Sequence, residues 1–388
     1  MASDENSFEV LRRVRAHIER ITPTLLDQLA LTVGQYGFEA LQGSKLSGAD
    51  GTPALLHILH RKDVDLKTVD IAIDPDVTYL LDTDFEPHYW FDLHSHLSLD
   101  GEFSEALESF VFDYHDEVIA TGSLSEGVTS GIVPTLNRHF KKRGKNSAYL
   151  FVFPSMNHSS DALFNAYSSL GLLLLDDPGP LILLDQSNLE AFIGVNRTGG
   201  LLAGSDIASY LVELFLSKRG MIRDLVKLSR VFKVNLFSIL MASGASLEIY
   251  ESFRNILDIT LEQPLLDFDL STASLVYVLV RAPIRLMEQL PKGYIELEVN
   301  SWLRARTNID APQICEPIYV DEFGDRIDVV ILVGGFDTKG LFGTMEDRIS
   351  RFSTLIVEQE LYDKDIWNNI RNKLMEISNN GRKIVEPQ

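Results

Sequence analysis

Residues 91–103 read Phe-Asp-Leu-His-Ser-His-Leu-Ser-Leu-Asp-Gly-Glu-Phe. On an extended segment His94 and His96 would point to one face, because side chains alternate along a strand. Two imidazoles with Asp92 or Asp100, and with His88 close by, form a donor set for a divalent metal. A metal-dependent hydrolase centred on His94 and His96 is therefore one reading. The rest of the chain supplies little to complete it. The histidines are His17, His57, His60, His88, His94, His96, His115, His139 and His158, and none lies later. A multinuclear hydrolase site draws His and Asp from several later strand ends. The other reading, which we carry forward, is a polar loop between a strand and a helix, with no bound metal. The adjoining run His88-Tyr89-Trp90-Phe91 then belongs to the core.

The elements that must position any site can be read from the hydrophobic pattern. Residues 5–22 have an amphipathic helical pattern that Pro23 ends. LLDQLALTVG (25–34) reads as a buried strand and FEALQG as the start of a helix. LKTVDIAIDPD (66–76) is a second strand, and SEALESFVFDYH (104–115) is helical. DEVIATG (116–122) is a core strand, followed by the loop SLSEGVTSG and the helix IVPTLNRHFKKRG (132–144). SAYLFVFPS (147–155) is a strand, DALFNAYSSLGLLL a helix, and GPLILLDQ (179–186) a further strand. Strands and helices alternate, and the strands are apolar on both faces. That pattern predicts an α/β fold with a doubly wound parallel sheet. Residues 201–218 read as one long buried helix, 219–345 as a smaller α+β domain, and 346–388 as a charged helical tail packed on the body. The expected organisation is thus an N-terminal helix (1–24), a Rossmann-like domain (25–200), the central helix, the C-terminal domain and the tail.

Bulk properties narrow the function. The chain has 388 residues, 45% apolar and 23% charged, enough for two domains with ordinary cores. Its net charge of −21 argues against nucleic acid and anionic membrane surfaces as partners. No apolar run reaches the length of a membrane span, and the start has no basic-then-apolar leader, so a cytoplasmic location is expected. The single Cys315 rules out an intrachain disulfide and Cys-based zinc modules, and reads as a buried small hydrophobe.

A parallel nucleotide-type sheet, a long central helix and an α+β second domain resemble the ground plan of the tubulin/FtsZ superfamily. In that family a loop G-G-G-T-G-[ST]-G after a core strand cradles the nucleotide phosphates. Here the corresponding place holds Ser125-Glu126-Gly127-Val128-Thr129-Ser130-Gly131. Gly34-Gln35-Tyr36-Gly37 resembles the family's G-Q-x-G turn, and VDIAIDPD its second strand and the loop after it. FNAYSSLGLLLLDDPGPLILLDQSNLEA resembles the helix, strand and loop on the nucleotide side. EQPLLDFDLSTASLVYVLVRAP is similar to the N-P-L-L-[DE]-x-D-[IL]-S-G-A stretch of the second domain, and DVVILVGGFD to its late strand. The similarity runs over roughly residues 25–340. The His-rich stretch also looks like the opening strand of the PHP-type metal phosphoesterases. Under the tubulin/FtsZ resemblance it falls instead in the third nucleotide-side loop.

That resemblance implies GTP as the possible cofactor, held by Gly34, Gln35, Gly127, Thr129, Ser130 and Gly131, with no metal site of its own. It also exposes departures. Gly127, Ser130 and Gly131 keep the family residue, but Val128 stands where the phosphate-contacting Thr would be, and Ser125 and Glu126 replace glycines. Glu126 reads either as a carboxylate facing the phosphates or as a solvent-facing loop charge. Facing phosphates at ~4–6 Å, it would cost on the order of 1–4 kcal/mol. The family's hydrolysis loop N-x-D-x-x-[DE] maps onto 220–228, where Asp224 matches the first acid and Lys227 replaces the second. A protonated lysine cannot act as a general base. The base-contacting Asn near the start of the long helix is missing, and Ser205, Asp206 and Ala208 stand there. The resemblance and its departures imply a cytoskeletal or division-associated structural protein without catalysis, with GTP binding lost or strongly weakened and no cofactor expected. It would assemble head-to-tail with itself or pair with an active FtsZ/tubulin homologue. The alternatives are a polymerising GTPase with unorthodox loops, and the metal hydrolase above.

Overall fold

The computed structural model describes residues 28–42, 44, 46, 54–62, 73–74, 76–97, 101–110, 115–307, 309, 312–321 and 324–380. The helix expected over 5–22 lies outside these residues, as do most of the strand expected over 66–76 and the chain beyond 380.

The first half alternates strand and helix. In chain order it contains β1 (Gln28–Val33), α1 (Gly34–Leu41), β2 (Leu55–His60), β3 (Thr78–Leu81), α2 (Trp90–His94) and α3 (Glu102–Phe110). Then come β4 (Glu117–Ser123), α4 (Gly127–Lys142), β5 (Asn146–Phe153), α5 (Ser160–Leu175), β6 (Leu181–Asp185) and α6 (Gln186–Ala191). The strands lie in the order β6-β5-β4-β1-β2-β3, all parallel. The centre is apolar on both faces because alternate residues feed opposite layers. Tyr149, Phe151 and Phe153 of β5 join one core cluster, and Ala148, Leu150 and Val152 join the other.

The second half continues the same sheet. It runs β7 (Ile193–Val195), β8 (Leu201–Ala203), α7 (Ile207–Leu216), α8 (Met221–Phe232), β9 (Leu236–Ser246), α9 (Leu247–Tyr250), α10 (Phe253–Ile259) and β10 (Leu275–Pro283). It ends with α11 (Lys292–Arg304), β11 (Gln313–Ile314), β12 (Ile318–Val320), β13 (Arg326–Gly334), α12 (Lys339–Glu358) and α13 (Lys364–Asn380). β9 pairs in parallel with the start of β6 at Leu181 and Ile182. β13 is antiparallel to both β9 and β10, so the C-terminal strands extend the parallel sheet at its β6 edge. This is the doubly wound sheet with an α+β continuation that the pattern predicts.

Three local expectations need correction. The helix expected over 201–218 occupies only Ile207–Leu216. Residues 201–206 instead form β8 and a 3-10 turn, with β8 paired antiparallel to β7. The side chain of Asn196 explains the switch. Its Oδ1 accepts from Thr198 N and Gly200 N, and this turn folds β8 back on β7. The loop 123–131 is shorter than expected, because α4 already starts at Gly127. The stretch around His94 is neither strand nor open loop. Trp90–His94 is a short helix whose Asp92 accepts from the backbone N–H groups of His88 and Tyr89. The strands β2 and β3 have no counterpart in the sequence reading.

A buried charge network ties α7 to the C-terminal strands. Asp328 on β13 is fully buried. It accepts from Tyr210 Oη at 2.6 Å, Gly244 N at 2.9 Å and Arg281 Nε at 2.9 Å. The tail packs on the body as expected: Trp367 of α13 stacks beside Phe164 and Tyr167 of α5, and Phe352 of α12 beside Tyr89. Among the described residues no helix is long and apolar enough to cross a membrane.

Candidate functional site: the carboxyl edge of the parallel sheet

In an open parallel sheet, ligands bind where the strands end and helices begin. Two such turns face each other here, β1 into α1 and β4 into α4. β1 runs into Gly34, which has φ +75° and sits under Glu126 and Thr129 so closely that a Cβ would overlap both side chains. Glycine meets both demands. Gly127 is equally confined, because a Cβ there would strike the backbone of Pro87 and His88. The loop before α2 therefore lies directly against the start of α4.

Glu126 settles between these turns. Its Oε1 accepts from the backbone N–H of Tyr36 at 3.0 Å, in the first turn of α1. Its Oε2 lies 2.9 Å from Thr129 Oγ1, which is also 2.9 Å from Val33 O. The carboxylate thus bridges the two helix starts and is not the solvent-facing loop charge that one reading allowed. The reason is electrostatic: an N-terminal helix turn offers unpaired N–H groups and positive potential, and α1 has no acid of its own in its first turn. Burial, and then the charge of Glu126, push the Tyr36 phenol up to about 12.

The other sequence-singled residues sit as follows. Thr129, Ser130 and Gly131 lie in the first turns of α4, and Ser130 Oγ donates to Glu126 O at 2.6 Å. Gln35 follows Gly34, and its Nε2 donates to Glu39 Oε1 at 3.0 Å. Together with Gly127, these residues do converge on one edge. Asp224 and Lys227 do not join them. They lie on α8, exposed, 3.7 Å apart as an i,i+3 pair. The chain just before α8 lies at the opposite edge of the sheet, since Gln28 at the start of β1 donates to Lys218 O at 3.2 Å. Asp206 accepts from Ala203 N at 3.2 Å.

Asn165 is a participant the sequence reading missed. It is buried on α5. Its Oδ1 accepts from Trp90 N at 3.0 Å, and its Nδ2 donates to His88 O at 2.9 Å and Ser125 O at 3.2 Å. One side chain therefore stitches the loop before α2 to the loop before α4. An Asn on an apolar helix carries no positional signature, and only the fold shows what it reaches.

The metal reading of His94 and His96 loses its geometric premise. The two residues are not on one strand face, and Arg138 Nη2 donates to His94 Nε2 at 3.0 Å. That hydrogen bond occupies the lone pair a metal would need. Burial, then the Arg138 charge, hold the His94 imidazole down at about 4. Among the described residues no group of three or more His, Cys, Asp or Glu side chains is placed to share a metal ion.

No family model matches the chain. No curated protein matches it. Solved structures do resemble it. CetZ2 from Haloferax volcanii, in a GTPgS-bound protofilament, superposes with TM-score 0.61 at 18% identity, covering 84% of this chain and 99% of that one. CetZ from Methanosaeta thermophila strain DSM 6194 gives TM-score 0.61 at 18% identity, covering 91% and 99%. The empty FtsZ dimer of M. jannaschii gives 0.54 at 15% identity, covering 86% and 92%. With the strand order and the paired turns at the carboxyl edge, these likenesses establish that the chain has the tubulin/FtsZ superfamily fold.

Proposed function

We propose that this protein is a tubulin/FtsZ-like cytoskeletal or division-associated subunit that assembles without hydrolysing GTP. One observation carries the reading: the Glu126 carboxylate sits on the Tyr36 N–H and the Thr129 hydroxyl. In this fold a nucleotide phosphate would use that corner, where two turns present N–H groups. The protein supplies its own anion there. A triphosphate must displace Glu126 or lie beside it, at a cost of about 1–4 kcal/mol for a charge ~4 Å away. The Ser130 hydroxyl is likewise committed to a backbone carbonyl.

Hydrolysis lacks its partner residues as well. The start of α8 would face the next subunit in a head-to-tail polymer. It offers Asp224 paired with Lys227 rather than two acids. A protonated lysine in place of the second acid cannot accept a proton from attacking water. Assembly needs neither group. The CetZ2 structure is a protofilament and the FtsZ structure a dimer, which favours self-association here, with a related homologue as the other candidate partner.

One feature favours a second reading, a GTP-binding polymerising GTPase. α4 has no acid in its first turn and no side-chain cap, so no side chain of its own satisfies its first N–H groups, which favour an anion. A Mg²⁺-bridged nucleotide could use it. The deciding experiment is titration of purified protein with labelled GTP and Mg²⁺, with phosphate release and sedimentation followed in parallel. Assembly without nucleotide, and no binding up to about 100 μM, supports the structural subunit. Tight binding, with release that rises with protein concentration, overturns it in favour of the GTPase.

A further inference from the structure

The opposite, amino edge of the sheet carries a cavity of about 850 Å³. Ser147 at the start of β5, Gly179 before β6 and Leu236 at the start of β9 line it, with parts of α4, α8 and α13. It is separate from the carboxyl edge, where β1 and β4 end. Its size is within the range of small-molecule sites, roughly 300–1,000 Å³.

Three of its polar side chains carry a buried group without a partner among the described residues. Asn137 is 2% exposed and Thr338 is 3% exposed. Tyr149 Oη donates to Asn137 Oδ1 at 2.8 Å, and Asn137 Nδ2 has no partner among the described residues. Turning the amide over would only orphan the oxygen instead. The hydroxyls of Thr338 and Ser274 are also buried without a partner among the described residues. Gly335 permits this arrangement, since a Cβ there would overlap Ser274 Oγ. Buried polar groups without partners are rare and ask for an explanation.

The lining is also basic in an acidic protein. Lys141, Lys145, Arg230, Lys233 and Lys373 stand against Asp177 and Glu376, whereas the whole chain has 35 basic and 56 acidic residues. Asp177 is engaged by Asn235 Nδ2 at 3.1 Å. Arg230 and Lys233 are exposed at the C-terminal end of α8. Between the donors and the cations the wall is apolar, with Leu174, Val226, Val234 and Phe336.

We propose that this cavity binds an amphipathic organic anion. Its phosphate or carboxylate head accepts from Asn137, Thr338 and Ser274 and faces the cations, while its apolar body lies on Leu174, Val226 and Phe336. Such a ligand bridges the parallel strands and the C-terminal strands, so it stabilises the joined sheet by mass action.

Calorimetric titration of the full chain with 1-naphthyl phosphate, 1-naphthoate and 1-naphthol tests this. Saturable binding of one or both anions is expected, with naphthol at least about tenfold weaker. The phosphate and carboxylate arms identify the preferred head. The double variant R230E/K233E, checked for its fold by circular dichroism, should lose at least about tenfold in anion affinity and leave naphthol unchanged. Arg61→Glu, an exposed charge just past the end of β2 at the other edge, should leave naphthyl phosphate binding as it is. No saturation with either anion, equal binding of naphthol, no effect of the charge reversals at Arg230 and Lys233, or loss of binding on Arg61→Glu would each overturn the proposal.

Discussion

Replacing Glu126 should convert a self-filled corner into an anion site. The side chain makes one hydrogen bond to the Tyr36 N–H and one with the Thr129 hydroxyl. Glu126→Gln keeps an acceptor and removes the charge, whereas Glu126→Ala empties the corner. For a phosphate about 4 Å away, removing the repulsion is worth ~1 kcal/mol at water-like screening and ~4 kcal/mol at an effective dielectric near 20. Freeing the first turn of α1 adds about 0.3–1 kcal/mol for an anion there. GTP affinity should therefore rise by about ten- to several-thousandfold in Glu126→Ala, and by about five- to a thousandfold in Glu126→Gln, which removes only the charge. The same change removes a cap, so stability should drop by about 1 kcal/mol. Fluorescence titration with labelled GTP and Mg²⁺, beside urea unfolding of the same samples, reads both. If wild type and Glu126→Ala bind GTP equally, whether both weakly or both tightly, the carboxylate is not what governs the site.

Three further outcomes follow from the geometry. Asp328→Asn should cost about 3–5 kcal/mol, because it leaves Arg281 buried without its counter-charge; a loss under about 1 kcal/mol in urea unfolding would contradict this. Gly34→Ala should destabilise by at least about 1 kcal/mol through its positive φ and its overlap with Glu126. Part of that loss should be recovered in the Glu126→Ala background, and strict additivity in the double-mutant cycle would refute the contact. Burial holds His57 and, with Lys145, His115 down at about 4, from 6.5. The unfolded chain then takes up protons first, so their contribution is full above 6.5 and is lost as pH falls toward 4. The urea midpoint should drop between about pH 7 and pH 5, less steeply in His57→Gln, and an unchanged slope would exclude His57.

The fold was legible where strands are buried on both faces. β1, β4, β5 and β6 read directly, because a parallel strand inside two helical layers has no polar face to blur the pattern. β2 and β3 were not legible. LLHILH contains two histidines, and His57 and His60 are buried only because Thr32 and Thr83 hydrogen-bond them. The start of α7 misread for a similar reason: LLAGSD is apolar enough to extend a helix, and only the turn built on Asn196 fixes it as a strand and 3-10 turn.

The candidate site divides the same way. The resemblance carried by Gly34-Gln35-Tyr36-Gly37 and by residues 125–131 implied which residues meet at the carboxyl edge, and the sequence by itself supplied the glycines that such close turns need. It also determined that Glu126 stands where the resembling family has glycine. It left open whether that charge faces the phosphates or water, since nothing local to the loop fixes where the side chain turns. Tertiary structure decided it by bringing the first turn of α1 from ninety residues away to within hydrogen-bond reach. The same holds for Asn165, whose amide joins two loops distant in the chain. Local sequence sets what each turn can offer, and which turn receives it depends on strand order, because β1 and β4 are neighbours only in the folded sheet.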